Sequence, residues 1–290
     1  MTGDRQPSPD PLIREATLDD LPAIRAILSL HGNDGPIVVA DVVGPYVSHL
    51  IERGRTRVAE DDGRVVGFGA AIDAGRAVHL ADLFIHPSRL GQGIGRRLLE
   101  AVMAGAERRT TFASDDPRAM PIYIRAGMTP LWPSFYVQGT AADIPVGPGR
   151  LATDDATSDE LAEIELTWTG HDRTADHAHW ATAGQADSFV VRDGHDVVAI
   201  GHARVRQMAP VRVVNRLVIH PDADPIAPTL TALARTGRHG GEVMISLLGP
   251  NPILRPLLEA GFRIVEHDQF LASHPDLVDP TRLIPNSGML

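Results

Sequence analysis

No cysteine occurs in the 290 residues. That absence excludes a disulfide framework, a thiol nucleophile and a cysteine-ligated metal, and it fits a reducing compartment. Long apolar runs are missing as well: none approaches the roughly 18 uninterrupted residues that a membrane span needs. The first ten residues are polar and proline-bearing, without the basic-then-apolar order of a secretion signal, so the expected location is cytoplasmic, away from membranes. Positive charge is in short supply. A formal net charge of −10 speaks against a nucleic-acid partner and weakly favours approach of a cationic amine. Several catalytic signatures are also absent. There is no G-x-S-x-G elbow, no HExxH and no G-x-x-x-x-G-K-[ST], which removes the serine-triad hydrolase, zincin and P-loop readings. His177-Ala178-His179 and His195 stand on what reads as a polar loop without a carboxylate pattern, and are expected to be surface or hydrogen-bonded residues rather than metal ligands. No metal is expected.

What is present is the composition of a globular protein, 43% hydrophobic and 22% charged, long enough for two domains with separate cores. After a lead over residues 1–11, expected to be disordered, Ile13 to Ala16 reads as a strand. Thr17-Leu18-Asp19-Asp20 has the layout of a capping box, and Leu18, Leu21, Ile24, Ile27 and Leu28 recur at helical spacing. His31 to Gly35 breaks that helix, and a second is expected over Ala40 to Glu52, with Gly44-Pro45 as a potential interruption. Asp61-Asp62-Gly63 between two apolar runs predicts a hairpin. A strand over Val78 to Ile85, a helix to about Glu107 and a strand over Thr110 to Ala113 follow. Asp116-Pro117 is expected to cap and open a helix that closes at Gly127, with Pro121 awkwardly inside it. Leu131 to Gln138 suits a strand. The order predicts an α/β fold around a mixed sheet.

One stretch stands out. Phe84-Ile85-His86-Pro87-Ser88-Arg89-Leu90-Gly91-Gln92-Gly93-Ile94-Gly95-Arg96-Arg97 runs from a strand, through a turn with glycine at every second position, into a helix. Glycines let a backbone approach a ligand closely, and a helix N-terminus offers unpaired N–H groups, so a diphosphate is the natural occupant. A glycine-rich turn can also serve geometry alone. The dinucleotide fingerprint fails because Arg96 stands where G-x-G-x-x-G needs glycine.

The second half repeats the first. Val197 to Ala203 follows Asp193-Gly194 as Val65 to Ala71 follows Asp62-Gly63. Leu217-Val218-Ile219-His220-Pro221 and Ala260-Gly261-Phe262 both lie 134 positions after Leu83-Phe84-Ile85-His86-Pro87 and Ala126-Gly127-Met128. A shared offset points to tandem duplication. At that offset Gly91, Gly93 and Gly95 become Pro225, Ala227 and Thr229, and Tyr123 becomes Leu257, so the second copy is expected to have lost any phosphate cradle.

The window Leu90 to Gly95 resembles motif A of the GNAT superfamily of acetyl-CoA-dependent N-acetyltransferases, [QR]-x-x-G-x-[GA], with Leu90 in place of Gln or Arg and Arg89 one residue early. Ala119 to Met128 is similar to motif B, A-x-x-x-Y-x-x-x-G-F. The resemblance covers most of residues 12–140 and is weaker from 150 to 275. It implies two tandem GNAT-like domains, each a mixed, mostly antiparallel sheet flanked by helices: a catalytic one over 12–145 and a degenerate one over 150–290 with a C-terminal tail. It further implies that acetyl-CoA (coenzyme A) is held by Arg89, Leu90, Gly91, Gln92, Gly93, Ile94, Gly95 and Arg96. Phe84 and Ile85 would give main-chain contacts to the pantetheine arm, and Tyr123 would protonate the leaving thiolate. For the base that receives the amine proton, His79, Asp82 and a water chain stay open; strict alternation puts 79 and 82 on opposite faces unless a bulge intervenes. The expected activity is direct acetyl transfer to a small-molecule amine by a monomer or homodimer. The alternative is a non-catalytic acyl-CoA-binding or regulatory protein.

Overall fold

The computed structural model describes residues 10–31, 43–114, 116–147, 151–206 and 210–290. The expected lead up to residue 9, the helix break at 32–35, helical residues 40–42 and the end of the interdomain stretch at 148–150 lie outside the described residues. Two compact units emerge: residues 1–72 with 82–105, and residues 73–81 with 106–290.

The first unit contains β1 (Leu12–Glu15), α1 (Leu21–Ser29), α2 (Val43–Glu52), β2 (Thr56–Asp61), β3 (Arg64–Asp73), the end of β4 (Val78–Ile85) and α3 (Ile94–Val102). β1, β2 and β3 pair antiparallel. The capping box forms as expected, and Arg14 bridges Asp20 and Glu60 at 2.7 Å each. Gly44-Pro45 does not interrupt α2, because Pro45 falls in its first turn, where a missing N–H costs no helical bond. Successive residues of β2 face opposite ways. Val58 packs with Ile24, Ile27 and Leu28 of α1 and Val47 of α2, whereas Ala59 packs with Ile94 and Leu98 of α3.

The second unit holds the start of β4, then β5 (Arg109–Ala113), α4 (Ala119–Arg125), β6 (Thr129–Thr140), β7 (Ala152–Asp155), α5 (Ser158–Thr169), α6 (Thr174–Ala181), β8 (Asp187–Asp193), β9 (Asp196–Val205), β10 (Val211–Ile219), α7 (Ile226–Thr236), β11 (Glu242–Leu248), α8 (Leu254–Glu259), β12 (Arg263–Ala272) and β13 (Leu283–Ile284). Its strands lie in the order β5-β12-β6-β11-β10-β9-β8-β7, with β13 on β10. Two local expectations need correction. α4 starts at Ala119 rather than at Pro117, with Asp116 accepting from Arg118 N at 2.9 Å, so Pro121 sits in the first turn and bends nothing. His177-Ala178-His179 belongs to helix α6, not to a loop, and His177 is buried.

The order β-α-α-β-β-β-α-β-α-β occurs twice, from β1 to β6 and from β7 to β12. β4 pairs parallel with β5 as β10 does with β11. The duplication extends to single contacts. A Cβ on Gly69 would stand 3.3 Å from Leu83, and one on Gly201 would stand 2.8 Å from Leu217. His86 Nδ1 accepts from Ser88 N, and His220 Nδ1 accepts from Asp222 N. The final strands are exchanged: β5 pairs with β12, β11 pairs with β6, and β6 and β12 pair with each other.

Behind β9 and β10 lies a buried polar chain. Ser188 Oγ donates to His202 Nδ1 (3.1 Å), His202 Nε2 to His177 Nδ1 (2.8 Å), and His177 Nε2 to Glu165 Oε2 (2.8 Å). Arg216 grips Glu165 with two hydrogen bonds of 2.7 and 2.8 Å, and Arg173 holds Asp176 at 2.8 Å. Burial alone would raise the Glu165 carboxyl, but the Arg216 charge and these hydrogen bonds outweigh it and hold it well below the ordinary range. Burial also lowers His177 and His202, which stay neutral.

Gly201→Ala should destabilise by about 1–3 kcal/mol, with Gly69→Ala costing less because its contact is looser. Glu165→Gln, which leaves Arg216 buried without its counter-charge, should cost about 3–5 kcal/mol. Both are read from denaturation midpoints at neutral pH.

Candidate functional site

The glycine turn takes the form its sequence demands. A 3₁₀ turn at Pro87–Arg89 leads to Gly91 and Gly93, both in left-handed conformation at φ 77°. A side chain at either would be strained, and nothing lies within 4 Å of where a Cβ would stand, so the backbone faces open space. Gly93 is the N-cap of α3. Because Arg97 N is the first to bond back, to Gly93 O, the amides of Ile94, Gly95 and Arg96 have no intrahelical partner. That set of donors at the positive end of a nine-residue helix suits a diphosphate.

The side chains around it divide. Leu90 packs against Ile94, Leu98 and Ile85 and contributes apolar contact. Gln92 is exposed, and Arg96 is exposed with Glu100 at 3.2 Å. Arg89 is committed to Asp61 on the β2–β3 hairpin, which reduces its charge toward an anion. Phe84 and Ile85 cannot offer main-chain groups to the same side, because neighbouring residues of a strand point their N–H and C=O groups in opposite directions. His86 N bonds Val66 O of β3, and Phe84 O lies 3.1 Å from where a Gly67 Cβ would be, so Phe84 faces β3. Ile85 faces the other edge, where His31 Nε2 donates to its carbonyl at 2.8 Å and the His31 ring lies against Phe84.

The candidate bases separate sharply. His79 lies in the second unit, fully buried, with Nδ1 accepting from Thr110 Oγ1 and Nε2 donating to Ser287 O, both at 3.0 Å. Burial, only partly offset by the Ser287 bond, lowers it to about 4. With both nitrogens engaged it has no lone pair for an amine proton. Asp82 lies in the first unit, on the strand that feeds the glycine turn. Burial raises its carboxyl to about 6 against the hydrogen bond from Tyr46, and its Oδ2 is buried with no hydrogen-bond partner. A carboxyl poised there, with one oxygen uncommitted, can accept a proton near neutrality. Tyr46 and His31 carried no local sequence signal, since each meets β4 only through the fold.

Tyr123 lies in α4 of the second unit, 6% exposed. In the duplicate, each chemical position has changed character. α7 begins at Ile226, two residues earlier than the offset from α3 predicts, so the turn is absorbed into helix behind Pro225. Arg216 stands at the position matched to Asp82 and serves the buried polar chain. β10 also carries an irregularity between Val214 and Arg216, at the place where the parity of the matching strand was in question.

The acetyltransferase (GNAT) domain family matches residues 52–128, which include the glycine turn, Asp82 and Tyr123. Among solved structures the chain resembles a proposed acetyltransferase of Pyrococcus horikoshii, with 15% identity, TM-score 0.70 and coverage of 98% of this chain and 96% of that one. A GCN5-related N-acetyltransferase from Anabaena variabilis matches at 14% identity and TM-score 0.62 over 90% of this chain and 72% of its own. A tandem GNAT protein from the clavulanic acid biosynthesis pathway matches at 17% identity and TM-score 0.59 over 91% and 99%. At these identities the likeness is one of fold. Among the described residues no group of three or more His, Asp or Glu could hold a metal, and no helix is long and apolar enough to cross a membrane. Residues 52–128 thus match the acetyltransferase (GNAT) domain family, and the chain has the two-copy α/β fold seen in a tandem GNAT protein.

Proposed function

We propose that this protein transfers acetyl directly from acetyl-CoA to an amine of a small molecule, using one cofactor site. The observation that carries the reading is the turn with Gly91 and Gly93 left-handed, open above, and running into the free amides of Ile94, Gly95 and Arg96. Those amides would hold the diphosphate, with Leu90 as the apolar wall beside them. Acetyl-CoA, when bound, supplies the thioester carbon that the amine attacks. Asp82 takes the proton that the amine nitrogen loses as the new N–C bond forms, its raised carboxyl matching the task. Tyr123 is the donor that the resemblance implies for the departing sulfur. The acceptor approaches a chain of net charge −10, which favours a cationic amine. All 27 basic residues are arginine, so the chain offers no lysine amine of its own to compete.

Gly93→Pro removes an N–H and cannot adopt φ 77°. Calorimetric titration with acetyl-CoA should show binding at least about tenfold weaker than wild type; equal affinity at retained fold would sink the cradle.

Asp82→Asn tests the base. In the wild type, kcat/KM should fall with unit slope below about pH 6. The variant should lose about 10²–10³ in turnover and lose that limb. Its stability should move the other way. Burial raises the folded carboxyl above its ordinary 3.8, so the wild type loses stability as pH rises from about 4 to about 6. The variant should then equal wild type in acid and gain about 1–3 kcal/mol above pH 6. Lower activity with lower stability would mean a structural role instead.

A further inference from the structure

The duplicated turn opens onto a cavity of about 1010 Å³ in the second unit, large enough for a ligand of substantial size. Its floor is apolar: Leu151, Ile164, Val197, Val198, Ala227 and Pro228, beside the Trp168 ring, which stands edge-on to His220 at 5.1 Å. Its charge is of one sign. Glu163 comes from α5, Asp193 and Asp196 from the β8–β9 hairpin, and Asp222 and Asp224 from the turn, and among the described residues no arginine lines it. Asp224 caps Ile226 N. Among the described residues the other four carboxylates, all exposed, have no ion pair.

The duplication shows that this is a reversal. Ser88-Arg89-Leu90 of the first copy correspond to Asp222-Ala223-Asp224, and Arg64 of the first hairpin corresponds to Asp196. A turn suited to an anion has become one that repels anions, with a cavity above it. The carboxylates do not converge as a metal site requires, since no group of three or more acidic or His residues is placed to hold a metal among the described residues. They stand on three separate elements around one apolar floor. The complementary shape is a chain with cationic groups spaced along it.

We propose that this cavity binds a linear aliphatic di- or polyamine, its methylenes on the apolar floor and Trp168 and its ammonium groups on Glu163, the Asp193–Asp196 hairpin and Asp222. Trp168 adds cation–π attraction to the apolar contact. The site is separate from the acetyl-transfer reading and stands or falls without it.

The test is isothermal titration of the full chain, without acetyl-CoA, with spermidine, butylamine and magnesium chloride at 50 and 500 mM salt. Spermidine should bind at one site, at least about tenfold tighter than butylamine, and weaken at high salt. Glu163→Gln with Asp222→Asn should weaken spermidine about tenfold, Trp168→Leu should weaken both amines, and Asp82→Asn should leave spermidine unchanged. The double variant alters two exposed side chains, and an unshifted melting temperature confirms its fold. No saturable binding, equal affinity in the double variant, displacement by equimolar magnesium, or loss in Asp82→Asn alone would each overturn the proposal. Failure here leaves the Gly93→Pro result on acetyl-CoA untouched.

Discussion

The hydrogen-bond ladder of β6 governs the architecture of the second unit. One edge of β6 pairs with β11 and the other with β12, while β12 closes onto β5. Each copy's last strand therefore completes a sheet that the other copy began. A buried strand edge left unpaired would strand its N–H and C=O groups, so neither copy's closing strands can be removed without exposing the other's. This gives a physical reason for keeping a second copy after its turn has lost the features that suit a phosphate.

The second copy differs from the first in a consistent direction. Without glycine, the turn before α7 joins the helix: Pro225 and Pro228 carry no N–H, Asp224 caps Ile226 N, and Thr229 N bonds Pro225 O. Where β4 carries Asp82 with an uncommitted oxygen, β10 carries Arg216 with its guanidinium bound to Glu165 and to Leu290 O. The first arrangement costs stability and leaves a group poised to react. The second satisfies a buried charge from several sides, which is the condition under which such a charge is tolerated.

The same contrast separates the two candidate bases, three residues apart on one strand. His79 is enclosed and fully hydrogen-bonded, so burial drives it neutral and its neighbours fix its tautomer. Asp82 meets one donor, Tyr46, and burial without full compensation raises its carboxyl. The sequence left the two open; the count of partners favours the aspartate.

The sequence by itself determined the local chemistry. Alternation and helical spacing placed the first hairpin and α1, the glycine spacing set a left-handed turn before α3, and the constant offset of 134 revealed the duplication, because these depend on neighbours within a few residues or on comparison of the chain with itself. Tertiary structure decided everything that needed distant partners. The exchange of closing strands, the contact of His31 with the Ile85 carbonyl and the pairing of Arg89 with Asp61 all arise between residues far apart in sequence. So does the raised carboxyl of Asp82: burial and hydrogen-bond partners set a proton affinity, and those exist only once the chain has folded around it.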